Sequence, residues 1–246
     1  MTNLTDEQRA IRDEAEEYAR KNKKRIARSL TSKDEFPPEV DVQPITLFMA
    51  GAPGAGKTEM SMALLKEVEE QGGHPILRID PDDLRCKFEK YDGENSWLFQ
   101  KAVTILVEKM VDFAISNGQS FILDGTFSNL EKACDNINRC LGRGRLVWVM
   151  YVYQDPLKSW RFAKAREDVE GRKVPLDTFV SGYFDSRHSV NEIIKRFENK
   201  VEVMLVGGDS NIVEVVTGSI DTFIPETYDR LKLREAICLN SEQKGD

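Results

Sequence analysis

The hydrophobic positions of this chain change period along its length, and the changes mark its elements. From Ile45 onward, short continuous runs of Val, Ile, Leu and Phe alternate with longer stretches whose apolar residues recur every three or four places. The runs predict strands at 45–50, 75–80 ("PILRID"), 120–124 ("SFILD"), 146–153 ("LVWVMYVY") and 201–206 ("VEVMLV"). The stretches between them predict helices at 57–71, 96–116, 128–140, 156–169 and 177–198. Strands apolar on both faces and separated by helices predict an α/β fold, a mostly parallel five-stranded sheet with helices on both faces. A last strand at 211–216 and a helix near 225–238 add a small C-terminal extension.

Residues 5–30 follow another pattern. They are largely charged, with a thin apolar stripe of Ile11, Ala15, Tyr18, Ile26 and Leu30, and Thr5 with Gln8 forms a capping box at the start. "SKDEFPPEVDVQP" (32–44) then reads as a polar, proline-marked linker. The expected organisation is an N-terminal helix and linker over 1–43, followed by one domain over 44–246. The helix is expected to pack on the sheet.

Composition narrows the chemistry. With 246 residues, 40% of them hydrophobic, the chain can bury a substantial core. Its net charge of −7 argues against nucleic acid as a general partner, because phosphate neutralisation needs a basic face. The basic run at 20–28 follows the acidic "DEAEE" (13–17), and the two together read as a charge-laced helix surface. Cys86, Cys134, Cys140 and Cys238 lack zinc-like spacing, and His74 and His188, the only histidines, argue against a histidine-based triad or metal cluster. No run reaches transmembrane length and no signal peptide precedes the first helix, so a cytoplasmic protein with reduced thiols and no membrane contact is expected.

The strongest chemical signal is "GAPGAGKT", residues 51–58. Gly51, four residues, then Gly56, Lys57 and Thr58 fit the Walker A pattern, set between a predicted strand and a predicted helix. Here the backbone of Gly51, Ala52, Pro53, Gly54, Ala55 and Gly56 would close around phosphate oxygens. Lys57 would reach the β and γ phosphates of ATP, and the Thr58 hydroxyl would ligate Mg²⁺.

In a parallel sheet ligands gather at the C-terminal ends of the strands, so the segments after the other strands matter. "RIDPDDLR" (78–85) offers Asp80, Asp82 and Asp83, any of which could orient an acceptor hydroxyl and take its proton, while one could instead cap the following turn. "FILDGT" (121–126) ends an apolar strand in Asp124, a Walker B-like position for a carboxylate near Mg²⁺. Gly125 and Thr126 follow it. "DPLKSWRFAKAREDVEGRKVP" (155–175) predicts a helical lid bearing Arg161, Arg166 and Arg172, which read either as a solvated face or as guanidinium groups for a transferring phosphoryl group. Glu108, with Thr104 and Asp112 one turn away, falls on a polar stripe that periodicity assigns to solvent.

Taken together, "GAPGAGKT", "IDPDDLR", "LDGT" and the lid resemble the zeta toxins of epsilon–zeta toxin–antitoxin systems, P-loop kinases of UDP-N-acetylhexosamines. The resemblance covers roughly residues 45–200. It implies Asp82 as the base for the sugar 3′-hydroxyl, Thr126 and Glu108 at the substrate, and Arg161 with Arg172 on the phosphates. It also implies ATP and Mg²⁺ as cofactors, UDP-N-acetylglucosamine as acceptor, and a separate antitoxin as partner. Asp124 stands where many members carry Glu, and Asn136 falls near an expected substrate threonine. The spacing between the lid arginines is also shorter. These departures leave other acceptors open, including NAD, nucleosides and antibiotics. A polynucleotide acceptor suits the acidic balance poorly. A GTPase switch would need Asn-Lys-x-Asp after a late strand, and "NKVE" (199–202) does not supply it. The N-terminal helix could alternatively obstruct the nucleotide pocket.

Overall fold

The computed structural model describes residues 4–171, 173–207, 213–225 and 228–242. Helix α1 (Asp6–Leu30) precedes β1 (Ile45–Ala50), α2 (Lys57–Glu70), β2 (Leu77–Ile79), α3 (Gln100–Asn117), β3 (Phe121–Leu123) and α4 (Leu130–Leu141). Then come β4 (Leu146–Tyr153), α5 (Pro156–Glu170), α6 (Leu176–Phe197), β5 (Glu202–Gly207), β6 (Val213–Val215) and α7 (Arg230–Glu242). The sheet runs β2-β3-β1-β4-β5-β6, with the first five strands parallel and β6 antiparallel on β5. The C-terminal strand therefore extends the five-stranded parallel sheet by a sixth, reversed edge.

Alternation along β1 builds both faces of the sheet. Phe48 and Ala50 enter one apolar cluster with α3, α4 and α1, while Leu47 and Met49 enter the other with Ile122, Val152 and α7. Helix α6 serves both, giving Phe179, Val180 and Tyr183 to the second cluster and Val190, Ile193 and Phe197 to the first. Elsewhere the elements start and stop where local chemistry dictates. Asp155 caps α5 by accepting from the Lys158 N–H, with Pro156 in its first turn, and Gly118 ends α3 in the left-handed region. The segment at 96–99 is a 3-10 turn leading into α3, so the predicted helix at 96–116 begins a turn later as an α-helix.

Helix α1 starts with the capping box of Thr5 and Gln8. It lies mainly against α3 and the 3-10 turn before it, one layer out from the strands, rather than on the sheet as its sequence suggested. The buried apolar residues of α1 are Ala15, Ala19, Ile26 and Ala27, three of them small enough to let the two helices approach closely. Glu16 anchors this seam, accepting from Lys101 of α3 at 2.8 Å and from Arg20 at 2.9 Å. Burial raises the Glu16 pKa, but the two cations outweigh it and leave the pKa below its ordinary value. A depressed carboxylate pKa stabilises the fold above the unfolded value, and that contribution is lost as pH falls through the folded value. Glu16→Gln is thus expected to lower the melting temperature at pH 7, with the difference from wild type closing in acid. Paired thermal melts across pH check this.

Candidate phosphoryl-transfer site

Because β2, β3, β1 and β4 are parallel neighbours in that order, the segments that follow them open side by side at one end of the sheet. The acids at 80–83, the Asp124–Thr126 turn, the glycine loop and the head of α5 thus form one continuous rim.

The glycine loop leaves β1 through Gly51, Gly54 and Gly56, all at positive φ. Two of them are also fixed by close approach. A Cβ on Gly51 would lie 2.5 Å from the Val152 carbonyl oxygen, and one on Gly54 would lie 2.2 Å from that of Ser159 in α5. On the other flank, Gly182 of α6 sits over the Pro53 ring, where a Cβ would come within 3.0 Å. At Gly56 a Cβ would meet nothing within 4 Å, so the loop is open there, at the N-terminus of α2 where N–H groups and the helix dipole favour an anion. Lys57 is 9% exposed, and its ammonium donates to the carbonyls of Gly51 (3.0 Å) and Ala52 (2.6 Å). Backbone N–H groups, an ammonium and a helix N-terminus are a donor set that fits a polyphosphate.

The neighbouring acids are organised by Arg78, the middle residue of β2. Its side chain crosses to β3 and donates to Asp124 Oδ2 from Nη2 (2.8 Å) and Nε (3.2 Å). It also donates from Nη1 to Asp83 (3.0 Å) and pairs with Asp80. Ser61 of α2 donates to the same Asp124 oxygen at 2.9 Å. Burial opposes the Arg78 charge, but Asp124, Asp80 and Asp83 together outweigh it and hold its pKa above the ordinary arginine value. Asp80 is 8% exposed, and its Oδ1 accepts from the Asp82 N–H at 2.7 Å, so Asp80 caps the turn. Asp82 pairs with Arg85, whose Nη2 donates to Gln100 at 3.0 Å and fixes the guanidinium against α3. Among the three acids of this motif, Asp83 is the most exposed.

A cavity of about 170 Å³ lies beyond β3. Phe48, Met49, Val107 and Leu123 make its apolar floor, and Glu108, Thr126 and Asn136 are among its polar lining. Glu108 is exposed, as its periodicity has it, and also lines the same cavity as Thr126. Its carboxylate accepts from Lys132 of α4 at 2.5 Å. The Thr126 hydroxyl lies 2.9 Å from that of Ser128, and the Thr126 carbonyl accepts from the Gly51 N–H at 3.3 Å, tying this turn to the glycine loop. Phe127 between them holds φ +59°, a strained value for an aromatic residue, with its ring packed on Phe48 at 5.7 Å.

Helix α5 covers the glycine loop, and Arg166 pairs with Glu59 of α2 at 2.9 Å. Arg161 is exposed on α5. Arg172 lies outside the described residues. Among the described residues no helix is long and apolar enough to cross a membrane.

The model of the family described as "Zeta toxin" matches residues 26–217, most of the length. The chain belongs to the zeta toxin family. Among solved structures, the PezAT chromosomal toxin–antitoxin system of Streptococcus pneumoniae is similar at 19% identity, covering 98% of this chain and 95% of that one, with a TM-score of 0.61. The AvrRxo1-ORF1:AvrRxo1-ORF2 complex with sulphate ions is similar at 17% identity, covering 87% and 68%, with a TM-score of 0.56. A structure of the same pair with ATP gives 17%, the same coverage and 0.55. At these identities the likeness is one of fold. No curated protein gives a significant match in sequence. Family and fold make this zeta toxin a kinase-like phosphotransferase with a nucleotide-binding P-loop.

Sequence reasoning did not single out Arg78, Arg85 or Lys132 in this zeta toxin. Arg78 had a signal, a charge between two buried strand residues, Leu77 and Ile79. Arg85 stands three places after Asp82, a spacing that brings two side chains together on one turn. Lys132 had none, since its partner Glu108 lies on another helix.

Proposed function

We propose that this zeta toxin transfers the γ-phosphate of ATP to the 3′-hydroxyl of a nucleotide sugar such as UDP-N-acetylglucosamine. What carries the reading is adjacency. The glycine loop with Lys57, the acids 80–83 and the cavity with Glu108 and Thr126 all open on one rim, and the Gly51–Thr126 hydrogen bond joins the first to the last.

Lys57 and the loop N–H groups bind the phosphates and orient the γ-phosphoryl group. Asp82 accepts the acceptor's hydroxyl proton, and the Arg85–Gln100 support holds that carboxylate in place. Glu108, Thr126 and Asn136 position the acceptor against the apolar floor, with Asp80 and Asp83 at its edge. Arg161 and Arg172 of the lid bear on the transferring charge. Phosphoryl transfer asks mainly for positioning and charge stabilisation. Oxygen donors suit a hard cation, so Thr58 and Asp124 would hold Mg²⁺, which supplies neutralisation of phosphate charge when bound. In the cytoplasm, depletion of such a sugar would make the protein toxic and call for an antitoxin partner.

The test is mass spectrometry of Mg-ATP reactions with UDP-N-acetylglucosamine, NAD, nucleosides and oligonucleotides. One phosphate gained by the UDP-sugar alone is expected. Phosphate on another acceptor would retain the kinase and discard the sugar.

A further inference from the structure

The carboxylates after β2 and β3 converge on a guanidinium, and this bears on how a divalent cation enters. Arg78 sits at the centre of Asp80, Asp83 and Asp124, with its side chain 13% exposed. All three bonds to Asp124 fall on one oxygen: Ser61 Oγ, Arg78 Nε and Arg78 Nη2 each donate to Oδ2. Asp124 Oδ1 accepts no hydrogen bond among the described residues, so one oxygen of this carboxylate is committed and the other is free. Among those residues no group of three or more His, Cys, Asp or Glu side chains is arranged to hold a metal ion. A divalent ion at Asp124 therefore needs further oxygens from outside the chain, and a bound polyphosphate is the source that the adjoining glycine loop would bring.

We infer that Arg78 is a resident counter-cation that excludes a free divalent ion from the acid cluster, so that the ion enters only together with the nucleotide. The inference rests on the kinase reading above and deepens it. Arg78 neutralises Asp80 and Asp83, whose charge would otherwise attract a cation to the wrong side of the site. It also fixes the Asp124 carboxylate by Oδ2, so that the remaining oxygen offers a single contact. Arg78 is a positioning residue, acting on the cation through Asp124.

The experiment measures Mn²⁺ bound to the full chain by equilibrium dialysis, with and without ATP on both sides of the membrane. Wild type should bind Mn²⁺ only when ATP is present. Arg78→Met should bind Mn²⁺ without ATP, at least about tenfold more tightly than wild type, because a unit positive charge has left the cluster. Its melting temperature should rise on adding Mn²⁺ alone, whereas that of wild type should not. Arg78→Gln, which keeps a donor for Asp124, carries the same expectation if the Met variant does not fold. Arg78→Lys, which keeps the charge, should behave like wild type. Equal ATP-free Mn²⁺ binding by wild type and the neutral variants would overturn the inference while leaving the kinase intact. Failure of wild type to bind ATP with Mn²⁺ present would overturn the kinase reading and this inference with it.

Discussion

Replacing Lys57 with Met is expected to abolish measurable phosphoryl transfer, a loss of about a thousandfold or more in kcat. The ammonium is the one side-chain cation of the glycine loop, and it is already drawn inward onto the carbonyls of Gly51 and Ala52. In turnover it would follow charge migrating between the β and γ phosphates, so its contribution grows toward the transition state. Methionine matches the length and removes the charge. ATP affinity should fall as well, by less than kcat, because the N–H groups and the α2 N-terminus still hold the phosphates. Single-turnover kinetics together with calorimetric ATP titration separate the two. Unimpaired kcat would remove the glycine loop from the chemistry.

The second large effect is expected at Asp82. Asp82→Asn keeps the shape and removes the proton acceptor, and a fall of about 10²–10⁴ in kcat follows if the carboxylate serves as base. The structure adds a complication, because the Asp82 carboxylate also neutralises the buried Arg85. Asparagine leaves that charge with a weaker partner, so a stability loss of about 1–2 kcal/mol should accompany the catalytic one. ATP binding, which does not involve Asp82, separates them. A catalytic role predicts near-normal ATP affinity with lost kcat, whereas mere loosening of the turn predicts both falling together.

Much of this architecture could be read from the chain because parallel strands buried on both faces write themselves as unbroken apolar runs. β4, "LVWVMYVY", is the plainest case, and the glycine loop behind β1 is fixed by residue types that few other backbones require. What escaped was pairing between elements. Glu108 sits among polar neighbours on α3 and is exposed as periodicity has it, while its place at the cavity was implied only by the resemblance. Its cation lies on α4 and its cavity beyond β3, and neither leaves a trace in the spacing of α3. Arg78 escaped for a related reason, since its three carboxylate partners come from two different loops. For α1 the missing information was size. Its buried face adds Ala19 and Ala27, whose small side chains give little hydrophobic contrast, to the Ala15 and Ile26 of the stripe read from the sequence; Ile11 and Leu30 of that stripe pack partly buried against the same cluster, and Tyr18 is exposed.

The walls of the glycine loop also set a schedule for synthesis. Gly54 and Pro53 emerge early, but the backbone of Ser159 and the face of Gly182 that close on them follow by more than a hundred residues. Until α5 and α6 have left the ribosome, the loop lacks the surfaces that hold its shape, and long-range closure of this kind comes late in folding. A growing chain therefore carries the residues of its glycine loop well before the surfaces that shape the loop exist.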